Sequence, residues 1–328
     1  NSVDIHNTVC RLSNSKSEDV FGISNFVLKK VTKEILYPLT IVINWMLSVG
    51  VYPQCLKTTV TVPVYKKGDK LNVNNYRPIA LVPVVSKVIE SLIKYQVECY
   101  FEHNHLLLSE QFGFRHNLST VKAVENIVSY IINGFEDRKE ISTLFLDLSK
   151  AFDIVPHSEL IEKLNHYGLE DVELSLFGSY LSDRYQFVKI SDQRSDLKRV
   201  TRGVPQGSVL GPFLFVVFIN DLPKFLPNKC VLYADDTTLM YSSRLPELNL
   251  IMMNYMKERS YLWFTANSLR VNEDKSEDII FSLGANSVNK SVKLLGLHLD
   301  SKLTWRTHTD ALCTRLSRVI FLLKKLKT

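Results

Sequence analysis

The stretch Val231-Leu232-Tyr233-Ala234-Asp235-Asp236-Thr237-Thr238-Leu239 sets two adjacent carboxylates between two short runs of strand-forming residues. Val, Tyr and Thr favour a pleated strand, whereas Asp is depleted from strands and tolerated in turns. Cys230 to Tyr241 is therefore predicted to be a tight hairpin with Asp235 and Asp236 at its tip. Alone, such a tip is compatible with a solvated turn. A second stretch argues against that reading: Ile141 to Leu148 is predicted to be a buried strand, and Leu144-Phe145-Leu146-Asp147-Leu148 puts a carboxylate near its end. A charge in a buried strand is costly unless a cation or a hydrogen-bond donor meets it. If strand and hairpin share a sheet, Asp147 and Asp235 converge at its edge.

Carboxylates that share a site repel and raise one another's pKa, unless divalent cations neutralise them. Mg²⁺ prefers such hard oxygen ligands and completes its octahedron with water and substrate phosphates. Two such ions about 4 Å apart activate an attacking hydroxyl and stabilise a departing phosphate oxygen. This much indicates metal-assisted phosphoryl chemistry, and it suits a phosphatase or a nuclease as well as a polymerase.

Away from the carboxylates, residues 17 to 49 read as helical, with Phe21, Val27, Leu28, Val31, Ile35 and Leu36 near helical spacing. Val60 to Tyr65 reads as a strand, stopped by the turn-like Lys66-Lys67-Gly68-Asp69. Helices are predicted over Val84 to Phe101, after Pro156 as far as Gly168, around Val172 to Leu181, and from Pro246 to Phe264. Strands separated by helices, with paired segments late in the chain, give an α+β or α/β fold. No internal repeat or low-complexity linker interrupts the sequence, so one continuous catalytic unit is expected.

Apolar residues are 45% and charged residues 23% of the 328, the composition of a globular protein and not of a disordered one. Forty Lys and Arg against 34 Asp and Glu leave a net charge of +6, which suits a polyanionic partner. Cys10, Cys55, Cys99, Cys230 and Cys313 are scattered, with no spacing for zinc, and fit reduced thiols in a cytosolic or nuclear protein. The longest purely apolar run, Phe213 to Ile219, is too short for a bilayer. No charged-then-apolar signal segment opens the chain. A nuclear or cytoplasmic protein, not secreted and without a membrane partner, is expected. Because the first residue is Asn1 and not Met, a fragment of a longer protein is also expected.

The neighbours of the carboxylates narrow the chemistry. Leu146-Asp147-Leu148-Ser149-Lys150-Ala151-Phe152-Asp153 resembles the first catalytic motif of reverse transcriptases from non-LTR (LINE-type, jockey-like) retrotransposons. Gly203-Val204-Pro205-Gln206-Gly207-Ser208-Val209-Leu210-Gly211-Pro212 resembles the second motif, and Tyr233-Ala234-Asp235-Asp236 the third. Upstream, Lys66-Lys67-Gly68-Asp69, Tyr76-Arg77-Pro78-Ile79 and Gln111-Phe112-Gly113-Phe114-Arg115 are similar to the fingers motifs. Downstream, Leu269-Arg270-Val271-Asn272 with Lys275, and Leu294-Leu295-Gly296, are similar to later palm motifs. The matches keep the family's order from about residue 53 to 305.

The resemblance implies an α+β right-handed polymerase fold with fingers and palm and only part of a thumb. Residues 1–52 would be an N-terminal helical extension of the fingers, 53–305 the reverse transcriptase domain, and 306–328 the start of the thumb. Asp147 and Asp235 would bind two Mg²⁺ ions (Mn²⁺ being an alternative), with the Leu148 carbonyl assisting and Asp236 in support. A DNA primer 3′-hydroxyl would attack the α-phosphate of a dNTP on an RNA template. Phe152 would crowd a ribose 2′-hydroxyl and so favour DNA synthesis, although the ring alone reads equally as a core aromatic. Gln206 and Gly207 would lie against nucleotide and template, and Arg77 and Lys67 would hold the triphosphate. Lys275 matches a lysine credited with protonating pyrophosphate.

Lys198, Arg199 and Arg202, and the C-terminal Arg315, Arg318, Lys324, Lys325 and Lys327, could follow a nucleic-acid backbone. His157 and His166 are expected only to decorate a helix surface. The alternative to an active enzyme is a catalytically inactive relic or fragment that binds nucleic acid or a partner.

Overall fold

A computed structural model describes residues 1–284 and 289–327, the last without its side chain. The Lys327 side chain, expected in the basic set, and Thr328, the expected end of the thumb segment, therefore lie outside the described residues. In chain order the helices are α1 (Ser2–Arg11), α2 (Asn25–Val49), α3 (Val84–His103), α4 (Thr120–Glu136), α5 (Ala151–Ile154), α6 (His157–His166), α7 (Asp171–Leu181), α8 (Leu210–Ile219), α9 (Leu222–Phe225), α10 (Pro246–Ala266) and α11 (Arg306–Lys327). The strands are β1 (Thr58–Tyr65), β2 (Tyr76–Leu81), β3 (Glu140–Leu146), β4 (Arg184–Ile190), β5 (Gln193–Arg194), β6 (Lys198–Val200), β7 (Lys229–Tyr233), β8 (Asp236–Ser243), β9 (Glu277–Phe281), β10 (Ser291–Leu294) and β11 (Leu297–Asp300). Among the described residues no helix is long and apolar enough to cross a membrane.

The chain forms two compact units, each discontinuous in sequence. The first holds residues 1–108, 150–220 and 267–269; the second holds 109–149, 221–266 and 270–328.

In the first unit β1 pairs antiparallel with β2 and parallel with β4, and β5 and β6 both pair with β4. The helix expected from residue 17 begins only at Asn25. The Asp19 carboxylate accepts the N–H groups of Phe21 and Ile23, which ties residues 19–23 into a turn, and the Ser24 hydroxyl then caps α2 by accepting from Val27. Helix α8 is buried at every position except Pro212.

In the second unit the sheet order is β7–β8–β3–β9, with every neighbouring pair antiparallel. Ile141 of β3 joins a core cluster with Ile127 and Ile131 of α4, Met240 of β8 and Phe281 of β9. One position on, Ser142 points to the opposite face and donates to the Asn249 carbonyl of α10 at 3.4 Å. Helices α4 and α10 thus sandwich the central strand. Burying each large aliphatic side chain contributes about 1.5–3 kcal/mol, which offsets the cost of holding carboxylates at the end of this strand.

Candidate active site

Pairing of β7 with β8 runs from Lys229↔Met240 to Tyr233↔Asp236, so Ala234 and Asp235 form a two-residue turn. Pairing of β3 with β8 runs from Glu140↔Ser243 to Leu146↔Thr237. One step further along that register, Asp147 falls opposite Asp236. The sheet thus gathers Asp147, Asp235 and Asp236 at one end, as the sequence predicted.

The backbone around Asp147 is held by the segment that follows α10. The Asp147 carbonyl accepts from Asn272 N–H, and Ser149 N–H donates to the Arg270 carbonyl, both at 2.8 Å. These two bonds bracket a single antiparallel bridge between Leu148 and Val271, which does not engage the Leu148 carbonyl. Lys275, exposed on the same segment, brings its ammonium to 3.3 Å from Asp147 Oδ2. That oxygen is otherwise buried without a hydrogen bond.

The hairpin is backed on its outer side by a segment the sequence put among the fingers motifs. Phe112 N–H donates to the Leu232 carbonyl and Leu232 N–H to the Glu110 carbonyl, both at 2.8 Å, a short parallel pairing against β7. Gly113 follows. A Cβ there would collide with the Ala234 backbone nitrogen, so only glycine allows the approach.

Burial, and then the negative charges of Asp235 and Asp147, push the Asp236 carboxyl up to about 6. Together with the Asp147 oxygen, which has the Lys275 ammonium beside it but no hydrogen bond, this crowding of carboxylates suits the site to a divalent cation. Among the described residues no three His, Cys, Asp or Glu side chains already form a metal cage. Mg²⁺ does not need one, since it takes one or two carboxylates and fills its shell with water and phosphate oxygens. The donor set therefore fits the ion expected from the sequence.

The remaining predicted residues belong to the first unit. Phe152 lies in α5 with its ring stacked on Phe215 of α8, centroids 4.6 Å apart and planes at 28°. Gln206 donates from Nε2 to Asp153 Oδ1 at 3.0 Å, and its carbonyl accepts from Ala80 N–H at 2.7 Å. Gly207, at φ +118°, presses on the Ala80 carbonyl where any Cβ would clash. Thr59, Thr61, Lys150, Asp153, Arg184 and Gln206 are among the residues around a polar cavity of about 270 Å³. Arg77 of β2 and Lys67 are exposed on the β1–β2 hairpin. Burial holds the Asp153 carboxyl above its usual value, against the opposing effects of the Gln206 hydrogen bond and of the Lys150 and Lys66 charges.

Asp153 and Glu90 carry structure that sequence reasoning passed over. The fully buried Glu90 carboxylate accepts Val209 N–H at 2.7 Å and Leu210 N–H at 3.2 Å, fixing the start of α8 just after the Pro205-Gln206-Gly207 loop. Burial raises its pKa, and the charge of Arg184 opposes that. His157 departs from expectation. It is not surface decoration, because its Nε2 lies 2.8 Å from the Gly203 carbonyl and its ring is partly buried, which depresses its pKa. His166 is exposed as expected. Of the basic residues, Arg199 is paired with Asp183 at 2.6 Å, while Arg315, Arg318, Lys324 and Lys325 lie exposed along α11.

Aspartates gathered at the end of an antiparallel sheet that is packed between helices are arranged for metal-assisted phosphoryl chemistry, and similarity to known proteins narrows that class. The profile of the family described as reverse transcriptase (RNA-dependent DNA polymerase) matches residues 64–299. The chain belongs to the reverse transcriptase family, on its non-LTR, LINE-type branch.

Its relatives include the "Probable RNA-directed DNA polymerase from transposon BS" of Drosophila melanogaster, 31% identical over 92% of this chain and 36% of the relative. The RNA-directed DNA polymerase from mobile element jockey of the same species is 27% identical over 98% of this chain and 38% of the relative. The chain thus spans little more than a third of these curated relatives. Apo telomerase from Candida tropicalis shares the fold, with a TM-score of 0.57 at 14% identity over 83% of this chain and 53% of that one. The same telomerase in complex with a TWJ fragment of telomeric RNA gives 0.55 at 16% identity, over 83% and 48%.

Proposed function

We propose that the chain is an RNA-directed DNA polymerase that extends a DNA primer on an RNA template with dNTPs, in the service of retrotransposition. The primer 3′-hydroxyl loses its proton and its oxygen bonds to the α-phosphorus. The bond from that phosphorus to the β-phosphate oxygen breaks, and pyrophosphate leaves. The observation that carries this reading is the strand register that sets Asp147 opposite Asp236 beside Asp235, with Asp236 pushed up to about 6 by its neighbours and by burial.

Asp147 and Asp235 would hold two Mg²⁺ ions, for which Mn²⁺ could substitute, with the Leu148 carbonyl assisting and Asp236 supporting. When bound, divalent cations neutralise charge on the attacking and departing oxygens. The protein's own part is positioning. Arg77 and Lys67 would meet the triphosphate, Arg through a planar fork matched to phosphate oxygens. Gln206, oriented by Asp153, and Gly207 would lie along nucleotide and template. Phe152, backed by Phe215, would stand under the incoming sugar and exclude a 2′-hydroxyl. Lys275 would deliver a proton to pyrophosphate. Residues 1–52 would extend the fingers, 53–305 form the reverse transcriptase domain, and 306–328 begin the thumb. The proposed sites of action are the nucleus and cytoplasm, where template RNA and target DNA are met.

Primer extension on poly(rA)/oligo(dT) with Mg²⁺ tests this, comparing the chain with a double Asp235→Ala, Asp236→Ala variant. Incorporation of dTMP by the native chain and none by the variant is expected. Equal incorporation by both defeats the assignment of the carboxylates, and none by either defeats the activity of this chain.

A further inference from the structure

The turn that carries Asp235 depends on a residue outside the carboxylate set. Ala234 sits at φ +55°, a left-handed conformation that non-glycine residues adopt at a cost and keep only where their surroundings impose it. Ala has no polar side chain with which to stabilise that conformation locally. What its backbone meets is Gln111, fully buried at 0% exposure. The Gln111 Oε1 accepts the Ala234 N–H at 3.2 Å and the Gly113 N–H at 2.7 Å. Both donors point at the same atom, which fixes the orientation of the carboxamide, since a flipped amide would set N–H groups against N–H groups. In that orientation Gln111 Nε2 is buried with no hydrogen-bond partner. The side chain thus leaves its own donors unsatisfied, a cost proteins normally avoid, while its oxygen joins two backbone amides that lie 121 residues apart in sequence (234 − 113).

We propose that Gln111 is a positioning residue for nucleotide transfer: its carboxamide oxygen locks Ala234 in the left-handed conformation and so aims Asp235. Rotation at Ala234 swings the next residue, and a displacement of about 1 Å at a reacting centre can cost about 10²-fold in rate. The main-chain pairing of residues 110–112 with β7 brings the side chain into place, and Gly113 lets the segment come close enough for one oxygen to serve both amides. This inference rests on the reading of Asp235 as part of the transfer machinery.

The test uses steady-state primer extension on poly(rA)/oligo(dT) with Mg²⁺ and varied dTTP, comparing the native chain with Gln111→Met and Gln111→Glu. Met keeps the length of the side chain but cannot accept the two amides; Glu keeps an acceptor oxygen. For Gln111→Met a fall in kcat of about 10- to 100-fold is expected, with the KM for dTTP changed by less than about threefold, because the residues assigned to the nucleotide lie on other segments. Gln111→Glu should recover at least half of that loss on a logarithmic scale.

A Gln111→Met chain with native kcat, or Met and Glu variants equally impaired, overturns the proposal. If the Met variant does not fold, hydrogen exchange of the Ala234 and Gly113 amides in the native chain decides instead. Slow exchange of both supports the shared acceptor, and exchange at the rate of open turn amides overturns it. A native chain that incorporates nothing refutes the enzymatic reading, a different result from a native-like Gln111→Met.

Discussion

Two antiparallel hairpins carry the charges from which this protein's chemistry is argued, and they are built in opposite ways. The Tyr233–Asp236 hairpin turns in two residues, with Ala234 buried and Asp235 and Asp236 half-buried, and has backbone packed against its outer side at Gly113. The β1–β2 hairpin makes a long excursion between Tyr65 and Tyr76, with Lys66, Lys67 and Asp69 exposed and Arg77 exposed on the returning strand.

Desolvation is what separates them. Carboxylates meant to bind cations gain by being drawn out of water and crowded, because crowding raises the free energy of the metal-free site and sharpens its preference for a cation. The cations proposed to meet the triphosphate, Lys67 and Arg77, are instead left in water on an exposed arm.

Substitutions should expose that difference. The largest effect is expected for Asp147→Asn, which removes one carboxylate of the crowded set. Primer extension should fall by about 10³-fold or more, consistent with the several kcal/mol of charge stabilisation a metal site supplies. A loss under tenfold would mean that Asp147 is not a ligand. On the exposed hairpin, Arg77→Ala should act mainly on KM for dNTP, raising it about 10- to 100-fold, the equivalent of a lost charge-assisted hydrogen bond. A pure kcat effect with unchanged KM would break the division between the two hairpins.

Third comes stability. The folded-state carboxyl of Asp236 titrates at about 6 against an ordinary 3.8. The native state therefore holds the proton more tightly than the unfolded chain, and stability falls as pH rises through that window. Asp236→Asn removes the penalty. It should stabilise the metal-free protein by about 3 kcal/mol at pH 7, and by almost nothing near pH 3, where the carboxyl is largely neutral in both states. Thermal unfolding at the two pH values reads the difference, and a gain of equal size at both would sink the electrostatic account. The smallest effect is reserved for Lys67→Ala. An exposed lysine is worth about 0.2–1 kcal/mol in an ion pair, so KM should rise less than about fivefold. Lys66→Ala, which also removes a charge that acts on Asp153, should exceed it.

The hairpin and β3 were legible because a β-branched run interrupted by Asp-Asp, and an apolar run ended by Asp, have few other local solutions. Helix α3 was found within two residues of its end from its apolar spacing, and α10 equally closely although Ile251, Tyr255 and Leu262 are exposed and Asn249 and Ser260 are buried. The start of α2 was missed by eight residues, since Phe21 continues the apolar spacing and only the Asp19 and Ser24 hydrogen bonds break it. Helix α8 offers no period, because apolar residues surround it. Strand β4 lies parallel to β1 from more than 120 residues away, with Thr58 opposite Tyr185, and no local pattern encodes that choice.

The site follows the same rule. Asp147, Asp235 and Asp236 stand in motifs, whereas Glu90 and Gln111 each reach distant backbone amides, across 119 and 123 residues, and His157 reaches the Gly203 carbonyl across 46. Sequence motifs report the clustered carboxylates more readily than the distant contacts that shape their surroundings.

The central position of β3 has a consequence for how the chain is made. Its two neighbours, β8 and β9, both come later, at Asp236–Ser243 and Glu277–Phe281. At about 5–20 residues per second of synthesis, an apolar strand leaves the ribosome on the order of ten seconds before its first partner strand exists. During that interval α4, already made, is its natural cover, and both edges of the strand remain open to pairing with another chain. The strand that leads into Asp147 is therefore also an aggregation hazard of the nascent protein, and slowing translation between residues 147 and 236 should lower the yield of folded protein before it alters any property of the finished molecule.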